Sequence, residues 1–212
     1  MSRRVPPTFI KPAQLEGIAG RFLREHHPSG ELPVPIEAIV EFSLGINIIP
    51  VERLWKDFDT DGWLSNDLST IYVDEVQMTD YETRYRFTLT HEVAHLLLHA
   101  DLYRSAGFQT VEEWLSWREA MDEKLVDDYE WQGRNLAGRI LVPTAPLVEK
   151  ALAALKERED RLPPGVDPRL LWQYVAIPLA DDFNVHESVV FYRLDGDRVG
   201  EMVRPETARG SR

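Results

Sequence analysis

The sequence predicts an α+β fold, mostly helical, in which a small antiparallel sheet packs on one buried helix. Three observations carry this. Apolar residues recur at helical spacing over long stretches separated by Pro and Gly. Short β-rich runs broken by turn residues are confined to positions 46–74. One helical run, Phe87 to His99, is apolar almost all the way round, which marks a central element.

The elements follow in order. Residues 1–10 read as a lead-in. Pro12 to Glu25 places Leu15, Ile18, Ala19, Phe22 and Leu23 on one face, with Pro12 near the start, where its missing N–H costs nothing. His26 and His27 end it and read as solvated end residues. Pro35 to Leu44 is a second short helix closed by Gly45. Ile46 to Val51 reads as a strand, Asp61-Gly62 as a hairpin turn, and Trp63–Ser65 and Ser69–Asp74 as strands about a turn at Asn66-Asp67. Three strands cannot stand alone and must lie against helices.

Thr79 to Glu82 has a capping-box pattern, so the central helix is expected from about Asp80 to His99. Thr110, with Glu113 three residues on, opens a helix to Asp122. Leu125 to Leu141 follows and Pro143 stops it. Pro146 to Arg158 is an amphipathic helix, and Arg161 to Gly165 is a stop and turn. Pro168 to Phe183 and Asn184 to Leu194 complete the helices, with His186 opening the last in a structural role. A single domain over 1–212 is expected, with its core at about 13–194 and a mobile polar tail from Gly196.

Composition narrows the function. A net charge of −12 argues against a nonspecific nucleic-acid binder, which needs a basic face. There is no cysteine, so disulfides and thiolate metal sites are excluded. No stretch reaches bilayer length and the N-terminus has no signal-like apolar run, so the expected location is cytoplasmic, away from membranes.

The central helix carries His91-Glu92-Val93-Ala94-His95, an H-E-x-x-H pattern. Residues i and i+4 share a helix face, about 6 Å apart along the axis, so both imidazoles can reach one ion. Glu92 can then face the attacking water as a base without being a ligand. Histidines and a glutamate in so apolar a helix are costly unless paired or metal-bound. A Zn2+ site of the two-His, one-carboxylate type is therefore expected, with the third ligand on a second helix. Position alone does not separate Glu130 from Asp127 or Asp128. His99 lies too far along the axis from His91, roughly 12 Å, to share its ion and is read as a residue supporting the ligands.

Arg86 to His99 resembles the core motif of the ImmA/IrrE metallopeptidases. So do Phe108 to Trp114, the stretch Glu130 to Pro143, the strand Ile71–Asp74 and the closing segment Leu179–Val185. The resemblance spans about residues 13–194. It implies a zincin-like metallopeptidase domain in which His91, His95 and Glu130 hold zinc and Glu92 is the catalytic base. Tyr72, Tyr103, Tyr129 and Arg134 are unranked candidates for a second oxyanion donor, and Ile71–Asp74 is a candidate edge for strand addition by substrate. Two departures stand out. Gly133-Arg134 replaces the family's Ala-Asn, and Leu136 replaces its Phe. An arginine has donors only and cannot orient a ligand as Asn does.

The family resemblance further implies a zinc endopeptidase whose partner is a separate helix-turn-helix repressor or antitoxin in stress-response, mobile-element or toxin–antitoxin-like pairs, since no DNA-binding segment is expected at the N-terminus. The alternative is a zinc-bound but catalytically silent module that sequesters such a partner. A DNA-binding role for the C-terminal helix pair is disfavoured by the acidic balance.

Overall fold

The computed structural model describes residues 10–157 and 168–203. The lead-in at 1–9, the Arg161–Gly165 turn and residues 204–212 lie outside the described residues.

The first helix, α1 (Pro12–His26), buries Leu15, Ala19 and Phe22, as its periodicity predicts. His26 Nδ1 lies 2.7 Å from Ser43 Oγ and His27 Nε2 lies 2.7 Å from the Glu31 carbonyl, so both close the helix end. The second is a short α2 (Ile36–Ala38) that widens into a π-helical turn, Ile39–Ser43. Gly45 follows at positive φ.

The sheet holds β1 (Asn47–Val51), β2 (Gly62–Leu64) and β3 (Thr70–Asp74) in the order β1-β3-β2. The hairpin β2–β3 is antiparallel as expected, but β1 pairs with β3 in parallel, so the sheet is mixed. The cause lies between β1 and β2. A five-residue helix, α3 (Leu54–Phe58), flanked by Arg53 and Asp59 in the left-handed region, carries the chain across β3 instead of turning it back beside β1. Asp61-Gly62 is not a hairpin turn. Gly62 is glycine because a Cβ there would stand 2.5 Å from the Tyr72 carbonyl oxygen and 2.9 Å from Thr88 Cγ2. β3 is the central strand, with Ile71 and Val73 fully buried. Its hydrogen-bonding edges are both taken, which removes Ile71–Asp74 as a site of strand addition.

The predicted cap at Thr79 is displaced. Asp74, at the end of β3, accepts from the Val76 and Gln77 amides and opens a short helix, α4 (Glu75–Asp80). Thr79 sits inside α4, donating to the Glu75 carbonyl. The central helix, α5 (Glu82–Ala106), begins after Tyr81 without a side-chain cap. It runs beyond the expected end at His99, where φ −129° and ψ 16° break the helix before it resumes.

Next come α6 (Val111–Glu119) and α7 (Glu123–Leu141). Thr110 accepts from the Glu113 amide as predicted, while Glu113 reaches one residue further back, to the Gln109 amide. Asp122 caps α7. α8 (Thr144–Lys156) follows Pro143, and a 3-10 turn (Pro168–Leu171) leads into α9 (Trp172–Phe183). Asn184 turns the chain in the left-handed region into α10 (Glu187–Leu194), whose first turn is capped by His186 Nδ1. The tail does not loosen at Gly196. Val199–Met202 form a 3-10 turn with Gly200 against Trp172, where any Cβ would lie under 3 Å from the indole, and Val203 is buried.

Helices α5 and α7 form the heart of the molecule, with the sheet on one side of α5 and α1 on the far side of α7. The buried set joins Leu89, Val93, Leu136 and Ile140 with Ile71 and Leu15.

Candidate metal centre

His91, His95 and Glu130 converge between α5 and α7. One donor atom from each lies within 4.8 Å of the others. His91 Nε2 is 2.9 Å from His95 Nε2 and 3.2 Å from Glu130 Oε2. A tetrahedral zinc with bonds of about 2.0–2.1 Å holds its donors roughly 3.3 Å apart, so the donor set fits such an ion with small adjustments. The structure separates Glu130 from its acidic neighbours, because Asp128 pairs instead with Lys124 at 2.7 Å.

The helices meet closely at Gly133. A Cβ there would stand 2.8 Å from His91 Cε1 and 3.0 Å from His95 Cε1 and Nε2. The departure from the family's Ala is thus part of the packing of this centre, and α7 lies against the ligand rings themselves.

His95 is fixed from behind. Its ring stacks on Tyr129 at 4.0 Å, and its Nδ1 is 2.9 Å from His99 Nδ1. Gln132 donates its Nε2 to the Asp128 carbonyl, which turns its Oε1 towards His99. With His99 Nε2–H facing Gln132 and His95 Nδ1–H donated to His99, the His95 Nε2 lone pair is left for an ion. This tautomer assignment follows from the hydrogen-bond pattern. His99 is therefore a supporting residue, as expected, and it takes the orienting role that Arg134 cannot.

Electrostatics match a cation site. Burial pushes Glu92 up to about 8, with the nearby Glu130 charge adding to this and His91 and the Leu64 amide opposing it. Burial pushes Glu130 up too, but His91, Arg118 and Arg134 outweigh it and hold the carboxylate at about 2. Burial lowers His95 well below the usual imidazole value and His99 to about 4, keeping both neutral. Burial lowers His91, but the hydrogen bond to Glu130 and the charges of Glu130 and Glu92 together outweigh it and leave the imidazole raised.

These groups open on a cavity of about 300 Å³ that also carries Trp55, Thr60, Trp114 and Arg118. A larger groove of about 740 Å³ between α1 and α8 has no grouping of metal-ligand residues and stands away from this chemistry. Of the candidate oxyanion donors, Tyr72 stacks on Trp63 at 4.2 Å and is not in the cavity lining, and Tyr129 gives its hydroxyl proton to Tyr103. Tyr103 and Arg134 line the cavity. Arg118, whose Nη2 is 3.3 Å from Glu130 Oε1, escaped the sequence reading. Its signal was a charge four residues after Trp114, on the apolar stripe of α6.

The family model for peptidase M78, the IrrE N-terminal-like domain, matches residues 70–195, more than half of the chain. No curated protein matches. Among solved structures, a Mycobacterium tuberculosis transcriptional regulator superposes with a TM-score of 0.54 at 15% identity, over 85% of this chain and 46% of that one. The chain thus spans about half the length of that regulator, and the likeness concerns the fold alone. This chain belongs to the peptidase M78, IrrE N-terminal-like family, and its His91/His95/Glu130 cluster, which could hold a metal ion, is consistent with an H-E-x-x-H plus Glu arrangement.

Proposed function

We propose that this family member is a zinc-dependent endopeptidase that hydrolyses a peptide bond in a protein substrate. Glu92 carries the reading. It is buried beside the donor set, and its Oε2 has no hydrogen-bond partner. A purely structural metal site has no use for a desolvated carboxyl at that place. The donor set of two imidazoles and a carboxylate, with no cysteine in the chain, suits zinc.

The bound ion would supply Lewis acidity and a water of lowered pKa. Glu92 takes a proton from the attacking water and later delivers it to the leaving amine. His99 and Gln132 hold His95 in its ligand tautomer, and Arg118 holds the outer oxygen of Glu130. Trp55, Trp114 and Phe87 give the cavity its apolar wall.

The substrate we favour is a separate helix-turn-helix repressor or antitoxin in the cytoplasm. The regulatory title of the structural neighbour supports a regulatory setting. No helix among the described residues is long and apolar enough to cross a membrane, which is compatible with that location. The competing reading, a silent module that sequesters the partner, draws on Arg118 and Arg134, both ion-paired to the ligand carboxylate.

The test combines metal analysis with cleavage of a repressor encoded nearby. Glu92→Gln should keep its zinc and lose about 10²- to 10⁴-fold in rate. Glu130→Ala should lose zinc. Equal cleavage by the parent and Glu92→Gln removes the hydrolytic mechanism, and binding by both with cleavage by neither establishes the silent module.

A further inference from the structure

We infer that Arg134 is a specificity residue that receives a carboxylate of the substrate one or two residues from the scissile bond. The inference rests on the peptidase reading above and names the substrate class of the same cleft.

Arg118 and Arg134 do different things. Arg118 is largely committed: its Nη2 lies 3.3 Å from Glu130 Oε1 and its guanidinium lies over the Trp114 ring, 5.6 Å from the centroid. Arg134 is not. Its Nη1 makes one long contact, 3.7 Å, to Glu130 Oε2, the same oxygen that faces His91 and is directed to the ion. Among the described residues its guanidinium makes no hydrogen bond, and its side chain is 57% exposed on the cavity wall. Five N–H donors on a permanent cation thus stand beside the ligand set with little to bind.

Neither Asp59 nor Asp61 of the cavity lining neutralises it. Asp61 is engaged by Arg84 and by Gln77, and Asp59 is exposed and bonded to neither arginine among the described residues. The ion itself adds positive charge. A cationic corner inside a chain of net charge −12 is a local feature that composition hides.

Geometry sets the reach. Arg134 is one turn beyond Glu130 on α7, about 6 Å along the axis. Successive Cα atoms of a substrate are about 3.8 Å apart. A carbonyl at the ion therefore places a group one or two residues away within range of the guanidinium. Planar, bidentate capture of a carboxylate is what arginine does best. The Asn of the family pattern is neutral and cannot select by charge, so this preference belongs to the chain's own departure. The carboxylate can come from an acidic side chain or from the C-terminus of the substrate, and the two are separable.

The probes are hydroxamates, which anchor on zinc whether or not the protein cuts peptides. Four are needed on one dipeptide frame: Glu with an amidated end, Gln with an amidated end, Lys with an amidated end, and Gln with a free end. Affinities are measured calorimetrically on the zinc-loaded full chain, the parent against Arg134→Gln, Arg134→Lys and Arg134→Glu, with zinc content determined on each sample. The parent should bind a carboxylate-bearing probe about tenfold more tightly than the Gln amide. The Glu amide winning identifies a side-chain carboxylate, and the free end winning identifies a C-terminus. The preference should disappear in Arg134→Gln, persist in part in Arg134→Lys, and turn towards the Lys probe in Arg134→Glu. Equal affinities in the parent, or an acidic preference that survives Arg134→Glu, overturns the assignment while leaving the metal reading intact. Failure of all four probes to bind the parent overturns the metal reading and this one with it.

Discussion

Helix α7 carries two buried polar clusters, and they are built on opposite principles. Near its C-terminal end Arg139 and Arg193 share Asp197, with contacts of 2.7 and 2.6 Å, and Arg193 also donates to the Val142 carbonyl and Thr144. Glu16 of α1 closes the group through Thr144 at 2.5 Å. Nearly every donor there has an acceptor. Around Glu130 the opposite holds. Of the six buried side-chain polar atoms without a hydrogen-bond partner among the described residues, five lie at or beside the candidate metal centre: His91 Nδ1, Glu92 Oε2, Trp114 Nε1, and His99 Nε2 with Gln132 Oε1, which face each other without closing a hydrogen bond; the sixth, Arg139 Nε, belongs to the first cluster, 3.5 Å from Glu16 Oε2. The first cluster is nearly complete as protein, and it joins α1, α7, α8 and α10. The second leaves more of its polar atoms open, and its unmet valences are where chemistry is expected.

The sharpest way to break this contrast is to cut the more complete cluster. Arg193→Ala leaves Asp197 short of a buried cation and should destabilise the fold by about 3–5 kcal/mol, with zinc bound per folded molecule unchanged. Chemical denaturation with metal analysis reads both. A loss below about 1 kcal/mol would mean the cluster is no tie at all.

The incomplete cluster should respond in the reverse sense. Glu92 titrates near 8 in the metal-free fold against 4.5 for a free glutamate. Between those values the folded state holds a proton that the unfolded chain has released, so stability falls as pH rises through that window and levels off above it. Glu92→Gln removes the penalty. The metal-free variant should therefore be more stable than the parent by about 3 kcal/mol near pH 7 and equal to it near pH 4. Melting curves of chelator-treated protein across pH 4–9 decide this, and a pH-independent difference would refute the titration as the cause.

The smallest effect is expected behind the ligands. His99→Ala frees His95 to adopt either tautomer and should weaken zinc about 10- to 100-fold in competition with a chromogenic chelator. Unchanged affinity would leave His99 as packing only.

How far the sequence carries depends on the range of the forces involved. The faces of α1, α5 and α7 are legible because apolar periodicity over several turns reports burial directly, and His91 and His95 are legible because their spacing is a property of one helix. Glu130 needed either a resemblance or coordinates, since three acids lie within four residues and only packing selects one. The parallel pairing of β1 and β3 escaped because register across a sheet is non-local and α3 has only five residues. At Thr79 a good local signal lost to Asp74, a charged cap already fixed by the end of β3, which also takes the Trp55 amide on its other oxygen. The break at His99 has no local breaker residue and arises where the imidazole turns in to meet His95.

Gly133 has a consequence for which ion is admitted. Because a Cβ at Gly133 would stand 3.0 Å or less from both imidazoles, α7 approaches the donors of α5 with no side chain between them at this point. An ion with bonds near 2.0–2.1 Å fits the gap, whereas a calcium ion at about 2.3–2.6 Å, which also asks for six or more oxygens, would have to prise the helices apart against the core. The close approach of α7 to the two imidazoles thus depends on a missing methyl group, at a position that offers no donor atom and bears no charge.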